Sequence, residues 1–162
     1  MMRLIAFDVD GTLCEVGARA DFEDGHSLLR HTRPMPAAIE RVRAFVRQGG
    51  QVRFVTARHR RLAEFTLAQL QCWIGDHVLR EHVSLRDFDP YTPTDAALWK
   101  ADVLRAMRPD LYVGDKPMDQ TAAAIANVLF MPAEWWARGE RAMRFAQVAD
   151  ANDRWDLVEA VA

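Results

Sequence analysis

The 162-residue chain has only two cysteines, Cys14 and Cys72, and their separation matches no metal-ligand spacing. No apolar run approaches the roughly 20 residues that a membrane-crossing helix needs, so no membrane partner is expected. The amino terminus runs into a strand without the charged-then-apolar order of a secretory leader. These absences lead to the expectation of a cytoplasmic protein with reduced thiols. No Gly-x-x-x-x-Gly-Lys-Ser/Thr stretch occurs, so there is no P-loop for a nucleoside triphosphate. Lysine is scarce: Lys100 and Lys116 are the only two among 21 basic residues. With a net charge of −2, the surface as a whole does not favour nucleic acid.

Half the residues are hydrophobic and 27% are charged, an ordinary globular balance. The length suits one domain with a full core, residues 1–162, and neither a repeat nor a composition break divides it. Apolar runs predict strands at 3–8, 51–56, 83–85, 111–113 and 128–131. Helical spacing predicts helices at 36–48, 60–73, 95–107 and 119–126. Pro36 suits the first turn of its helix and Gly49-Gly50 stops it. Residues 14–33 read as polar and irregular, and 133–162 as a helical layer whose aromatics, Trp135, Trp136, Phe145 and Trp155, pack on the sheet edge. Strands alternating with helices predict an α/β protein: a Rossmann-like three-layer α/β/α sandwich with a mainly parallel sheet of about five strands.

In such a sheet, ligands gather at the carboxyl ends of the strands. The first strand ends at Asp8-Val9-Asp10-Gly11-Thr12-Leu13. Two carboxylates so close repel each other, which calls for a cation or a shared proton. Oxygen-only ligands suit magnesium. The second strand ends at Thr56-Ala57-Arg58, where a hydroxyl, backbone amides and a guanidinium can cradle a phosphate. The alternative there is a Thr helix cap beside a solvated Arg. A further strand ends at Gly114-Asp115, and Asp119 opens the next helix, as an N-cap, a metal ligand or both. Lys100 precedes that strand by one helix and can neutralise a nucleophile and a transferring phosphoryl group. Cys14 reads as turn packing, not as a catalytic thiol.

Asp8-Val9-Asp10-Gly11-Thr12-Leu13, then Phe54-Val55-Thr56, Lys100 and Gly114-Asp115-x-x-x-Asp119 together resemble the haloacid dehalogenase superfamily of phosphotransferases, over roughly residues 3–132. The resemblance implies Asp8 as nucleophile and Asp10 as general acid and then base. It implies Mg2+ held by Asp8, the backbone carbonyl of Asp10 and Asp115, with Asp119 assisting. Thr56, Ala57 and Lys100 would bind phosphate, with Arg58 a further candidate. The second acid, Asp10, favours transfer to water over dehalogenation. Members of this family usually carry a cap domain. Here Leu13 to Pro34 spans only about 20 residues, and 43 residues separate Thr56 from Lys100, so no substantial cap is expected. The 14–34 segment stands in its place.

An open site needs either a partner subunit, as in a homo-oligomer, or a substrate large enough to cover it. The layout also resembles the phosphatase domain of polynucleotide kinase-phosphatases. Arg58, His59, Arg60 and Arg61 form a local basic cluster that fits a phosphate backbone or a solvated helix start. The expected function is therefore Mg-dependent hydrolysis of a phosphomonoester, with a nucleotide or nucleic-acid 3′-phosphate favoured as substrate. A small-metabolite phosphatase completed by a partner, and a non-catalytic magnesium- and phosphate-binding module, are the alternatives.

Overall fold

The computed structural model describes residues 3–140 and the backbone of residues 144–146 and 156–158. Strand β1 (Leu4–Phe7) lies at the centre of a five-stranded sheet, with β4 (Gln51–His59) and β6 (Leu111–Gly114) on its two sides. Strands β5 (Val83–Arg86) and β7 (Phe130–Pro132) complete the order β5-β4-β1-β6-β7, and every neighbouring pair is parallel. Parallel neighbours need crossovers, and helices supply them. Helix α2 (Pro36–Arg47) precedes β4, α3 (Ala63–Ile74) precedes β5, α4 (Pro93–Met107) precedes β6, and α5 (Pro117–Ala126) precedes β7.

Side-chain alternation along β1 divides the core. Ile5 and Phe7 point to one face, where residues of α2, α3 and α6 (Ala133–Arg138) pack. Ala6 points to the other, against α4 and α5. That second face is lined by Ala101, Ala122 and Ala123, whose small side chains let both helices approach the sheet closely. The parallel sheet is thus covered on both faces, as an α/β sandwich requires.

Three expectations need correction. The stretch 14–33 is not irregular: β2 (Cys14–Val16) pairs antiparallel with β3 (Thr32–Pro34), and α1 (Gly25–His31) lies between them. Asp24 caps α1 by accepting the His26 amide at 2.9 Å. Among the described residues of 133–162, helix is confined to α6, because Gly139 turns left-handed at φ 80° and ends it. Beyond it, β8 (Arg144–Ala146) and β9 (Asp156–Val158) are extended and pair antiparallel, and Trp155 and the Phe145 side chain lie outside what is described. Trp136 packs on the sheet face, not its edge. Its ring meets Phe7 edge-on at 5.0 Å, and its Nε1 donates to the Ala38 carbonyl at 3.2 Å. Among the described residues, no helix is long and apolar enough to cross a membrane.

The parallel arrangement places the carboxyl ends of β1, β4, β5 and β6 on one rim. Asp8 follows β1, Asp115 follows β6, and Arg86 ends β5. Strand β4 is longer than expected and carries Thr56, Ala57, Arg58 and His59 within it. Its pairing with β5 shifts register between Thr56 and His59, an irregularity of the kind that re-aims side chains.

Candidate active site

Asp8 is buried, and its two oxygens differ. Oδ1 accepts from Lys100 Nζ at 2.7 Å, while Oδ2 has no hydrogen-bond donor among the described residues. Burial pushes the carboxyl up to about 7; Lys100 opposes the shift, and Asp119 and Asp10 add to it. The ammonium of Lys100 also reaches Asp119 Oδ1 at 2.6 Å. Burial works against that charge, but the two carboxylates outweigh it and raise the lysine's pKa. A lysine that is wholly inaccessible survives because two carboxyl groups accept its hydrogen bonds.

Asp119 is not the N-cap of α5, a position Lys116 holds, but closes the helix start from its third residue. Its Oδ2 accepts the Lys116 amide at 3.1 Å and closes the first turn of α5. Its Oδ1 takes Lys100 and, at 2.8 Å, the hydroxyl of Tyr112. Burial and then Asp119 push the Tyr112 hydroxyl well above its usual range, so it stays a donor. Gly114 makes this approach feasible, because a Cβ there would lie 2.5 Å from the Asp119 Cβ.

Ligand oxygens of Asp8, Asp115 and Asp119 all lie within 4.8 Å of one another. Gly11 abuts this group: its φ is +86°, and a Cβ would stand 2.0 Å from Asp115 Oδ2. Three carboxylates, one with an oxygen that lacks any donor, fit a hard divalent cation. Thr12, in the same turn, has a buried hydroxyl without a partner among the described residues.

The Asp10 side chain belongs elsewhere. It accepts Arg58 Nε at 2.8 Å on Oδ2 and Arg58 Nη2 at 2.6 Å on Oδ1. The guanidinium read from sequence as a phosphate clamp or a solvated group is instead buried and turned to this acid. Its remaining nitrogen, Nη1, donates to Gln69 Oε1 at 2.6 Å and, at 3.4 Å, to Thr66 Oγ1. Gln69 Nε2 donates on to Thr32 Oγ1 at 2.6 Å, which ties the network to β3. Burial works against the Arg58 charge, and Asp10 more than offsets it.

Thr56 is buried on the wall of a cavity of about 250 Å3 that Asp8, Asp10, Ala57 and Arg58 also line. It does not sit at a helix entrance, since β4 continues past it, and its Oγ1 accepts the Arg58 amide at 3.2 Å. Cys14 is buried, with its Sγ 3.6 Å from both the Val9 carbonyl and Asp10 Oδ1. Burial pushes this thiol far up, which keeps it neutral.

Sequence reasoning missed Tyr112, Thr66, Gln69 and Arg86. Thr66 and Gln69 are polar residues on the core side of α3, a helix otherwise read for its apolar stripe. Arg86 had a usable signal, because it ends an apolar strand. It donates Nε to the Ala57 carbonyl at 2.7 Å and Nη1 to Asp89 Oδ1 at 2.8 Å.

No protein-family model matches this chain. No curated protein matches it either. Among solved structures, the chain is similar to one in the Pnkp1/Rnl/Hen1 RNA repair complex, with a TM-score of 0.66 and 14% identity over 82% of this chain and 42% of that one. It is also similar to DsGPDH of Dunaliella salina, with a TM-score of 0.51 and 17% identity over 80% of this chain and 23% of that one. The cobalt-bound deoxy-D-mannose-octulosonate 8-phosphate phosphatase of Haemophilus influenzae gives a TM-score of 0.48 and 14% identity over 81% of this chain and 68% of that one. The first two likenesses show a shared α/β fold, and this chain spans less than half the length of either protein.

Proposed function

We propose that the protein is a magnesium-dependent phosphomonoesterase that works through an aspartyl-phosphate on Asp8. The observation that carries this reading is the state of Asp8: one oxygen is fixed by Lys100, the other lacks any donor, and Asp115 and Asp119 stand beside it. Asp8, Asp115 and Asp119 would hold the cation, and the resemblance adds the backbone carbonyl of Asp10. A bound cation supplies charge neutralisation for the carboxylates and for the phosphoryl oxygens.

In the first step an Asp8 oxygen attacks phosphorus. The Asp8–phosphorus bond forms as the bond from phosphorus to the leaving oxygen breaks. Asp10 gives that oxygen its proton. In the second step Asp10 takes a proton from water as the water oxygen bonds to phosphorus and Asp8 is released. Both Asp10 oxygens now contact Arg58, so proton transfer requires one of them to exchange the guanidinium for the reacting group. Lys100 and Thr56 supply positive charge and a hydroxyl beside the nucleophile. Arg58 holds Asp10 in place.

The substrate favoured is a nucleotide or a nucleic-acid 3′-phosphate. The motif resemblance supports it, and so does the likeness to a chain of an RNA repair complex. A single capless domain over 1–162, acting in the cytoplasm, belongs to the same reading. Purified protein should release phosphate from p-nitrophenyl phosphate with magnesium and stop with EDTA. Acid quenching should trap a hydroxylamine-sensitive phosphoenzyme. Undiminished turnover by Asp8→Asn would sink the mechanism.

A further inference from the structure

Six large apolar side chains are exposed among the described residues: Phe22, Leu29, Leu79, Tyr91, Leu98 and Ile125. Only two of them are aromatic, and both of those line the cavity that holds Asp8 and Asp10. Phe22 is 41% exposed and Tyr91 is 43% exposed, so each offers ring surface that the fold leaves uncovered. They come from different segments, Phe22 from the stretch between β2 and α1, Tyr91 from the connection between β5 and α4.

Neither ring hangs from an unsupported loop. The Arg86 guanidinium lies 5.4 Å from the Tyr91 ring centroid, and the Tyr91 hydroxyl contacts Met118 Sδ at 3.4 Å. Beside Phe22, Glu23 pairs with Arg61 and approaches Arg86 at 3.9 Å. Arg86 itself is buried and fixed by the Ala57 and Phe88 carbonyls. Arg86 therefore ties the Tyr91 connection to β4, and on the Phe22 side it only approaches Glu23.

In the basic cluster two of the three arginines are turned to acids, while Arg60 is exposed. Arg58 pairs with Asp10, His59 lies 3.5 Å from Asp89, and Arg61 pairs with Glu23. A protein that tracks a phosphate backbone needs cations available to replace counterions. The cavity, at about 250 Å3, lies below the range of about 300–1,000 Å3 usual for larger ligands.

We propose that Phe22 and Tyr91 form a stacking subsite for a planar aromatic ring carried by the leaving group, so that the substrate is a nucleoside monophosphate recognised by its base. The inference rests on the phosphatase reading of Asp8 and Asp10 for its catalytic consequence. It does not need that reading for its binding consequence. Aromatic stacking accepts any base, because every base presents a π-face. The subsite thus selects for a ring, not for one base.

The test compares kcat/KM for thymidine 3′-phosphate, p-nitrophenyl phosphate, glycerol 2-phosphate and a 3′-phosphorylated oligothymidylate. Thymidine 3′-phosphate should exceed glycerol 2-phosphate about ten- to a hundredfold, the range expected of one base stacked on an aromatic. Phe22→Ala and Tyr91→Ala should each lower that ratio several-fold, and Phe22→Tyr should preserve it. A ratio unmoved by either alanine, or an equal fall on both substrates, overturns the subsite. So does an oligonucleotide preferred more than tenfold with a steep salt dependence. Tighter binding of p-nitrophenyl phosphate than of thymidine 3′-phosphate to Asp8→Asn protein would overturn the nucleoside assignment. A second measurement is independent of turnover. Calorimetry on Asp8→Asn protein should show thymidine 3′-phosphate binding at least tenfold tighter than glycerol 2-phosphate, with the difference lost in Asp8→Asn/Phe22→Ala. Binding of this kind without phosphate release from any substrate would remove the phosphatase reading and leave the subsite standing.

Discussion

Arg58 grips Asp10 through two charge-assisted hydrogen bonds, at 2.6 and 2.8 Å, across 48 residues of sequence. The pair joins β4 to the turn that follows β1. Removing one partner leaves the other charge buried and unpaired, which costs about 3–5 kcal/mol. Arg58→Met should lose that much in urea unfolding. Arg58→Lys should recover little, because an ammonium cannot match the fork. In an Asp10→Leu background the loss from Arg58→Met should shrink markedly. Equal losses in both backgrounds would show that the two side chains are not coupled.

Gln69 extends this network to β3 through Thr32. Gln69→Leu keeps the volume but leaves Arg58 Nη1 without its shorter bond. It should destabilise the fold by about 1–3 kcal/mol, the cost of an unmet buried polar group. Thermal unfolding of the single variant checks this, and Gln69→Glu should fall less.

Lys100 is the only cation in contact with both Asp8 and Asp119 among the described residues. Lys100→Met should cost about 3–5 kcal/mol. Asp119→Asn, introduced with it, should restore part of the loss by removing one of the stranded charges. If the double variant is no more stable than the single one, the two carboxylates do not share the lysine's charge.

The contribution of Asp8 to the stability of the metal-free protein should fall as pH rises from about 4 to about 7. Asp8 sits near its ordinary value of 3.8 when unfolded but is raised to about 7 when folded, so in that window the folded state binds the extra proton. Asp8→Asn should flatten this slope. Magnesium at about 100 times its dissociation constant should stabilise the wild type by about 2.7 kcal/mol and Asp8→Asn far less. Melting curves across pH, with magnesium or EDTA, test both statements.

Gly11→Ala would place a methyl group 2.0 Å from Asp115 Oδ2 at a residue with φ +86°. The strain should cost about 1–3 kcal/mol. The displaced carboxylate should also weaken magnesium stabilisation, whereas Gly49→Ala, with φ +87° and open space, should show strain without the metal effect.

Much of the frame was legible locally. Apolar runs ending in Asp8 and Asp115 placed both acids on one rim, since strand period and parallel topology follow from pattern alone. The helices were legible for the same reason. The β2–α1–β3 segment was not, because its strands are three residues each and carry no periodicity to read. The fate of charged residues was also hidden. Leu98 is half exposed while Lys100, two positions on, is wholly buried, the reverse of what hydrophobicity suggests.

The sequence by itself determined which acids exist, in what order, and at which strand ends. Those facts depend on neighbours along the chain and on backbone geometry. Only the tertiary structure decided whom each acid meets. Lys100 reaches Asp8 across 92 residues, and Arg58 turned from a candidate phosphate ligand into the partner of Asp10. A buried charge takes the nearest opposite charge that packing delivers, and packing is set by the whole core. The same reason brought Phe22 and Tyr91, far apart in sequence, to the mouth of one cavity.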